Sequence, residues 1–224
     1  MSDEAGDRTP HAALTEALWP ILAAVLVVMT LTILRPPEIR VAPAWVMPTM
    51  EVLLLAALIA SHPARPRPGS AGLRIVSICL VAIVVADTLA ATVRLVDALI
   101  HGGQATNSAD ALLAVGSLVW VSNLVAFALL YWLLDSGGAA ARMRQTSGSL
   151  DLAFPQQLNP EVAPPGWRPR FIDYLYLGLT ASMAFSPTDV MPLAPWAKVA
   201  MGAQSLISLA VVGLVIARAV NVFT

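Results

Sequence analysis

The feature that most limits what this chain can fold into is a succession of apolar runs of bilayer-crossing length. The first is "ALWPILAAVLVVMTLTIL", Ala17 to Leu34. At about 1.5 Å per helical residue it is long enough to span a hydrocarbon core of about 30 Å. Pro20 falls in its first turn, where proline is tolerated. Further runs cover Pro43 to Ser61, with Pro48 and Glu51 inside; Leu73 to Ile100, with Asp87, Arg94 and Asp97; Asp110 to Leu134, with Asn123; and Ala194 to Phe223. Segments dense in helix breakers, such as "HPARPRPGSAG" and "HGGQATNS", separate them. Composition agrees: 58% of the 224 residues are hydrophobic and 12% charged, where a soluble domain carries about a quarter charged. Mean hydropathy is +0.74.

The expected fold is all-α: a polytopic integral membrane protein of five transmembrane helices, plus a re-entrant helix and loop before the last one. The expected organisation is a polar tail over residues 1–16, a four-helix transmembrane region over 17–135, a surface loop segment over 136–169 and a terminal module over 170–224. Tryptophan placement agrees. Trp19, Trp45, Trp132 and Trp196 fall near predicted helix ends and Trp167 just before the short aromatic segment, as indole prefers the interface. Trp120 is mid-run and is expected to pack between helices.

Several function classes receive no support. The net charge of −1 gives no reason to expect a nucleic-acid partner. Cys79 is the single cysteine, so no disulfide framework or cysteine-based metal site arises, and it is expected to be a small buried hydrophobe. His11, His62 and His101 lie far apart in the tail and loops, so no metal site is expected. No phosphate loop, zinc motif or nucleophile elbow is present, so neither a cofactor nor an enzymatic reaction is implied. The acidic N-terminus (Asp3, Glu4, Asp7) is unlike the basic start of a signal peptide, so none is expected. A single lysine, Lys198, against 12 arginines among the 13 basic residues suggests a GC-rich bacterium and its cytoplasmic membrane.

Charges inside the runs are costly and therefore informative. Asp87 and Arg94 are seven apart and share a helix face. Two explanations stand side by side: a functional carboxylate near mid-span, or an intramembrane ion pair with Asp97 and Glu51 as further members. Arg94 has no series of arginines beside it in the run, only Arg74 at its start, so a voltage sensor, which needs several, is not expected.

The short segment from Arg170 to Ala184, too short to span, leads into the polar stretch "TASMAFSPTD", Thr180 to Asp189. With the last helix, "DYLYLGLTASMAFSPTDVMPLAPWAKVAMGAQSLISLAVVGLVIARAVNVF" resembles the pore helix, filter and inner helix of the potassium-channel superfamily. It is also similar to a group of bacterial membrane proteins with an "AFSPTD" loop. Tyr176 falls on an aromatic pore-helix position, with Thr180 on the same helix; Asp189 falls on the filter aspartate and Pro192 on the proline three residues later. The resemblance covers about a quarter of the chain and leaves the four upstream helices unexplained. It implies a pore formed by several copies, with a tetramer as the expected homo-oligomer, embedded in the lipid bilayer and passing monovalent ions.

The departure lies in the filter. Ala184, Phe185, Ser186, Pro187 and Thr188 occupy the positions of Thr-Val-Gly-Tyr-Gly. A potassium filter aims successive carbonyls at the ion, helped by glycines that neither Ser186 nor Thr188 replaces. Pro187 fixes its own φ and restricts Ser186. Potassium selectivity is therefore not implied, and the ligands open to an ion are the Ser186 and Thr188 hydroxyls and the Asp189 carboxylate. The same residues also suit a turn, with Thr188 capping and Asp189 bonding backbone amides. In the last helix, Gln204 and Ser208 share a face; they either line a pore or hydrogen-bond between helices. Orientation is left open. Arg65, Arg67, Arg74, Arg142, Arg144, Arg168 and Arg170 fall on the same side as Arg8, which puts the N-terminus inside, whereas the channel resemblance puts it outside.

Overall fold

The computed structural model describes residues 10–60, 70–102, 106–144, 150–183 and 189–223. Five longer helices carry the architecture: α1 (Pro10–Leu34), α2 (Val46–Ala60), α3 (Ser70–His101), α4 (Ala109–Leu134) and, after the connecting segment, α8 (Pro195–Phe223). Between α4 and α8 lie a single 3-10 turn (Asp135–Gly137), α5 (Ala139–Arg144), a two-residue strand β1 (Leu152–Ala153), α6 (Pro155–Leu158), α7 (Phe171–Met183) and the strand β2 (Met191–Pro192). Three helices are long and apolar enough to cross a membrane, over Arg74–His101, Ala109–Gly137 and Pro195–Val220. The apolar lengths of α1, Trp19–Leu34, and of α2, Val46–Ala60, are shorter. α1 begins at Pro10, so Pro20 is inside the helix rather than in its first turn. Neighbouring helices and local adjustment allow such a proline in membrane helices.

α4 is the hub. It packs against α1, α3, α7 and α8, and 67% of an apolar 18-residue stretch within it is buried, against 39% for the like stretch of α3 and 22% for that of α8. Ile21, Val25 and Val28 of α1 meet Leu54 of α2, Val81 and Val84 of α3 and Leu124 and Leu129 of α4 in one apolar cluster. A second cluster joins Leu95 and Leu99 of α3 to Leu112 and Val119 of α4 and Val211 and Val215 of α8. Gly116 allows the close α4–α8 approach, because a Cβ there would stand 2.8 Å from the Val215 side chain.

The 136–169 segment is not simply a surface loop. Leu152, Ala153 and Phe154 are buried, and Leu152 and Phe154 pack with Phe127, Tyr131, Tyr174 and Val190. β1 pairs antiparallel with β2, Leu152 opposite Pro192 and Ala153 opposite Met191. The Asp151 carbonyl accepts from the Leu193 and Ala194 amides at 2.9 and 3.1 Å. The segment thus clasps the chain just after the polar stretch. Sequence gives little sign of this, because two-residue strands have no periodicity to read.

Cys79 also departs from expectation, for it is exposed on α3 beside Ile75, Val76 and Ile83. In a helix apolar all round, composition does not say which face neighbours cover.

Candidate functional site

The filter-like residues Ala184, Phe185, Ser186, Pro187 and Thr188 lie outside the described residues. Asp189, which follows them, is exposed, and Val190 beside it is buried. The helix that leads into them is well seated. α7 buries Phe171, Tyr174, Leu177, Gly178, Ala181 and Ser182 and turns Ile172, Tyr176, Leu179 and Met183 outward. These are two helical stripes of opposite fate, as a 3.6-residue period produces. Thr180 is half-buried and donates to the Tyr176 and Leu177 carbonyls at 3.0 Å, so its hydroxyl is spent on its own helix.

Gln204 and Ser208 act as glue between helices. Both are fully buried. Gln204 Nε2 donates to the Gly178 carbonyl and to Ser182 Oγ, each at 2.9 Å, while its Oε1 accepts from the Tyr131 hydroxyl at 2.7 Å. One side chain therefore ties α4, α7 and α8 together. Ser208 Oγ accepts from Asn123 Nδ2 at 2.9 Å, and Ser205 Oγ donates to the Ala181 carbonyl at 2.9 Å. A pore-lining role for Gln204 and Ser208 within this arrangement is corrected by their burial: the face they occupy is the one that packs on α4 and α7. The opposite stripe of α8 is uncovered and apolar, with Val199, Leu206, Leu209, Ile216 and Val220 outward. Gly202 and Gly213 lie along it with open space before them.

At the C-terminal end of α4 a charged cluster holds the clasp. Asp135 is 1% exposed. Its Oδ2 accepts from the Tyr174 hydroxyl at 2.6 Å, and its Oδ1 from Ser136 Oγ at 2.9 Å and the Leu152 amide at 3.3 Å. Arg142 donates to the Asp135 carbonyl at 2.6 Å, stands 3.8 Å from its carboxylate and lies over the Tyr174 ring. Ser136 adopts a φ of 50°, in the left-handed region that costs a non-glycine residue energy. Its amide donates to Asp151 Oδ2 at 2.9 Å, which helps hold it there. Gly137 and Gly138, both at positive φ, complete the reversal of the chain.

The charges within the upstream helices are arranged differently from the spacing argument. Asp87 pairs with Arg35, Nη1 to Oδ2 at 2.5 Å, and both side chains are buried. Arg94 is exposed and takes no part, and Asp97 pairs with His101 at 2.9 Å on the surface. Glu51 is 1% exposed and accepts from Thr32 Oγ1 at 2.8 Å. Spacing on one helix points from Asp87 to Arg94, whereas Arg35 follows α1 directly and reads in sequence as a helix-ending residue.

The molecule is thus an all-helical protein with three helices able to cross a membrane and two buried polar networks within its helix packing. No family model, curated protein or solved structure matches this chain.

Proposed function

We propose that this chain is a channel-like subunit of a bacterial cytoplasmic membrane, crossing it five times. Several copies, four on the channel resemblance, surround a path lined by the stretch from Ala184 to Asp189. The observation that carries this reading is the α7–α8 pair: a short helix pinned to a long one through Gln204, with the outward stripes of both left uncovered. Neighbouring copies would cover part of those stripes. An α8 wall facing the path would be apolar, broken only by Gly202 and Gly213, and apolar constrictions gate by dewetting. The polar work in the path would then fall to Ser186, Thr188 and Asp189.

The test is conduction by the purified full chain in a planar bilayer, with its oligomeric state measured in mild detergent. A tetramer that conducts, and whose current falls in Asp189→Asn but not in Arg94→Gln, supports the reading. A monomer counts against it, and a silent tetramer favours a non-conducting scaffold or partner subunit. A second reading, a small-solute or proton-coupled transporter, draws on the buried carboxylates Glu51 and Asp87. Uptake without channel current, lost in Glu51→Gln, would favour it.

A further inference from the structure

The short helix α7 belongs to one end of the helix packing only. It begins where α4 ends: the Phe171 ring meets Trp132 edge-on at 6.5 Å, and the Tyr174 hydroxyl donates to Asp135 at 2.6 Å. From there it runs inward along α4. A Cβ on Gly178 would stand 3.1 Å from the Leu124 carbonyl oxygen, and Ser182 reaches Gln204. Its 13 residues amount to about 20 Å, less than a hydrocarbon core of about 30 Å. By Met191 the chain is back at the end it left. Met191 and Pro192 pair with β1, whose Leu152 amide donates to Asp135, and α8 starts at Pro195. α8 then runs antiparallel to α4, for Gln204 meets Tyr131, Ser208 meets Asn123 and Val215 meets Gly116 in turn. The starts of α7 and α8 therefore share the end that Asp135 marks.

That end also gathers the basic residues. Arg74, at the start of α3, puts its Nε 3.6 Å from where a Cβ on Gly138 would stand. Arg168 and Arg170 lead into α7, and Lys198 is in the first turn of α8; these four side chains are exposed. Arg142 is at the same end, paired with Asp135. By their places in the chain Arg8, before α1, Arg65 and Arg67, between α2 and α3, and Arg144, in α5, join them, which makes most of the 13 basic residues. The others, Arg35, Arg40, Arg94 and Arg218, belong towards the opposite end. Arg94 lies about 30 Å further along α3 than Arg74, at the helical rise of about 1.5 Å per residue. The acids near Asp135 are Asp151, Glu161 and Asp173, of which Asp151 and Asp173 accept backbone amides from Ser136 and Arg170. Orientation in a membrane follows Lys and Arg near the helix ends, and acids contribute little to it.

We infer that the Asp135 end faces the cytoplasm: α7 enters the bilayer from the cytoplasmic side, and the chain has returned to that side by Met191. The partner of this end is the anionic headgroup layer of the cytoplasmic leaflet, met by Arg168, Arg170 and Lys198, with the half-buried Trp167 and Trp196 close to them in the chain. This is the reverse of the orientation that the potassium-channel resemblance implies. The inference rests on the reading of the chain as membrane-spanning and is independent of whether it conducts.

Cysteine accessibility in the full chain tests this, on a Cys79→Ala background. Val162→Cys reports the side from which α7 starts, Leu193→Cys the side from which α8 starts, and Ile100→Cys the far end of α3; all three positions are exposed. A membrane-impermeant maleimide is applied to spheroplasts and to inside-out vesicles of the cytoplasmic membrane. Val162→Cys and Leu193→Cys should be labelled only in the inside-out vesicles, and Ile100→Cys only in spheroplasts. Labelling of Val162→Cys and Leu193→Cys from opposite faces overturns the return of the chain to one side. Labelling of both from spheroplasts alone overturns the cytoplasmic assignment. Labelling of all three positions from one face overturns the spanning reading itself, so the two failures are distinct. Where Leu193→Cys does not fold, Met191→Cys, also at an exposed position, takes its place with the same expected result.

Discussion

Asp135 and Asp87 are both buried carboxylates facing an arginine, yet their surroundings differ. Around Asp135 the accounting closes: a tyrosine, a serine and a backbone amide donate to its two oxygens, and Arg142 completes the charge. Around Asp87 it does not. Arg35 spends one of its nitrogens and leaves two without partners, and the neighbouring Glu51 has an oxygen, Oε2, with none among the described residues. A saturated cluster holds geometry, here the clasp that follows the polar stretch. An unsaturated one leaves buried polar atoms without partners among the described residues, which lowers what the pair contributes to stability.

The contrast can be broken by mutation, and the effects should fall in order. The largest is expected for Asp135→Ala, which strands Tyr174, Ser136, Leu152 and Arg142 at once. Removing one side of a buried charged network costs about 3–5 kcal/mol, so thermal unfolding in detergent should show a much less stable protein or none that folds. Asp87→Asn should cost somewhat less, about 3 kcal/mol at the low end of the same range, because Arg35 has only one bond to lose. Adding Arg35→Gln should restore most of that loss, and a double-mutant cycle by the same unfolding measurement checks it.

Smaller effects sharpen the view of the helix glue. Gln204→Leu removes three hydrogen bonds between helices and should cost about 1–2 kcal/mol by the scale of model membrane peptides. Ser208→Ala removes one and should cost about 0.6 kcal/mol. Arg94→Gln, on an exposed position outside both clusters, should stay within about 0.5 kcal/mol of the native chain in the same unfolding experiment. A large loss there would show that Arg94 has a partner which a single chain does not supply.

How far the residues could be read in advance depended on the kind of information each carries. Helix positions were legible, since α3, α4 and α8 begin and end within a few residues of their apolar runs. The same holds for the short helix α7, whose expected span of Arg170 to Ala184 becomes Phe171–Met183. The partner of Asp87 was not legible, because Arg35 is 52 residues away and helix periodicity relates only residues on one helix. Nor was the clasp, whose two-residue strands pair Leu152 with Pro192 and Ala153 with Met191, far apart in sequence and with no pattern of their own. Spacing leaves both explanations for Gln204 and Ser208 open, with hydrogen bonding between helices the better supported by their small and polar character. Only the packing of α8 against α4 and α7 separates them.

What the order of residues settled without help is the helical character of the apolar runs and the membrane-scale length of three of them, because both follow from local backbone preference and from the size of continuous apolar surface. What needed the assembled molecule is the fate of each polar group. A buried hydroxyl, amide or carboxylate takes its meaning from the donors and acceptors brought to it by other helices. That is why Gln204 became a tie between three helices, Asp135 the centre of a clasp, and Arg35 the buried partner of Asp87.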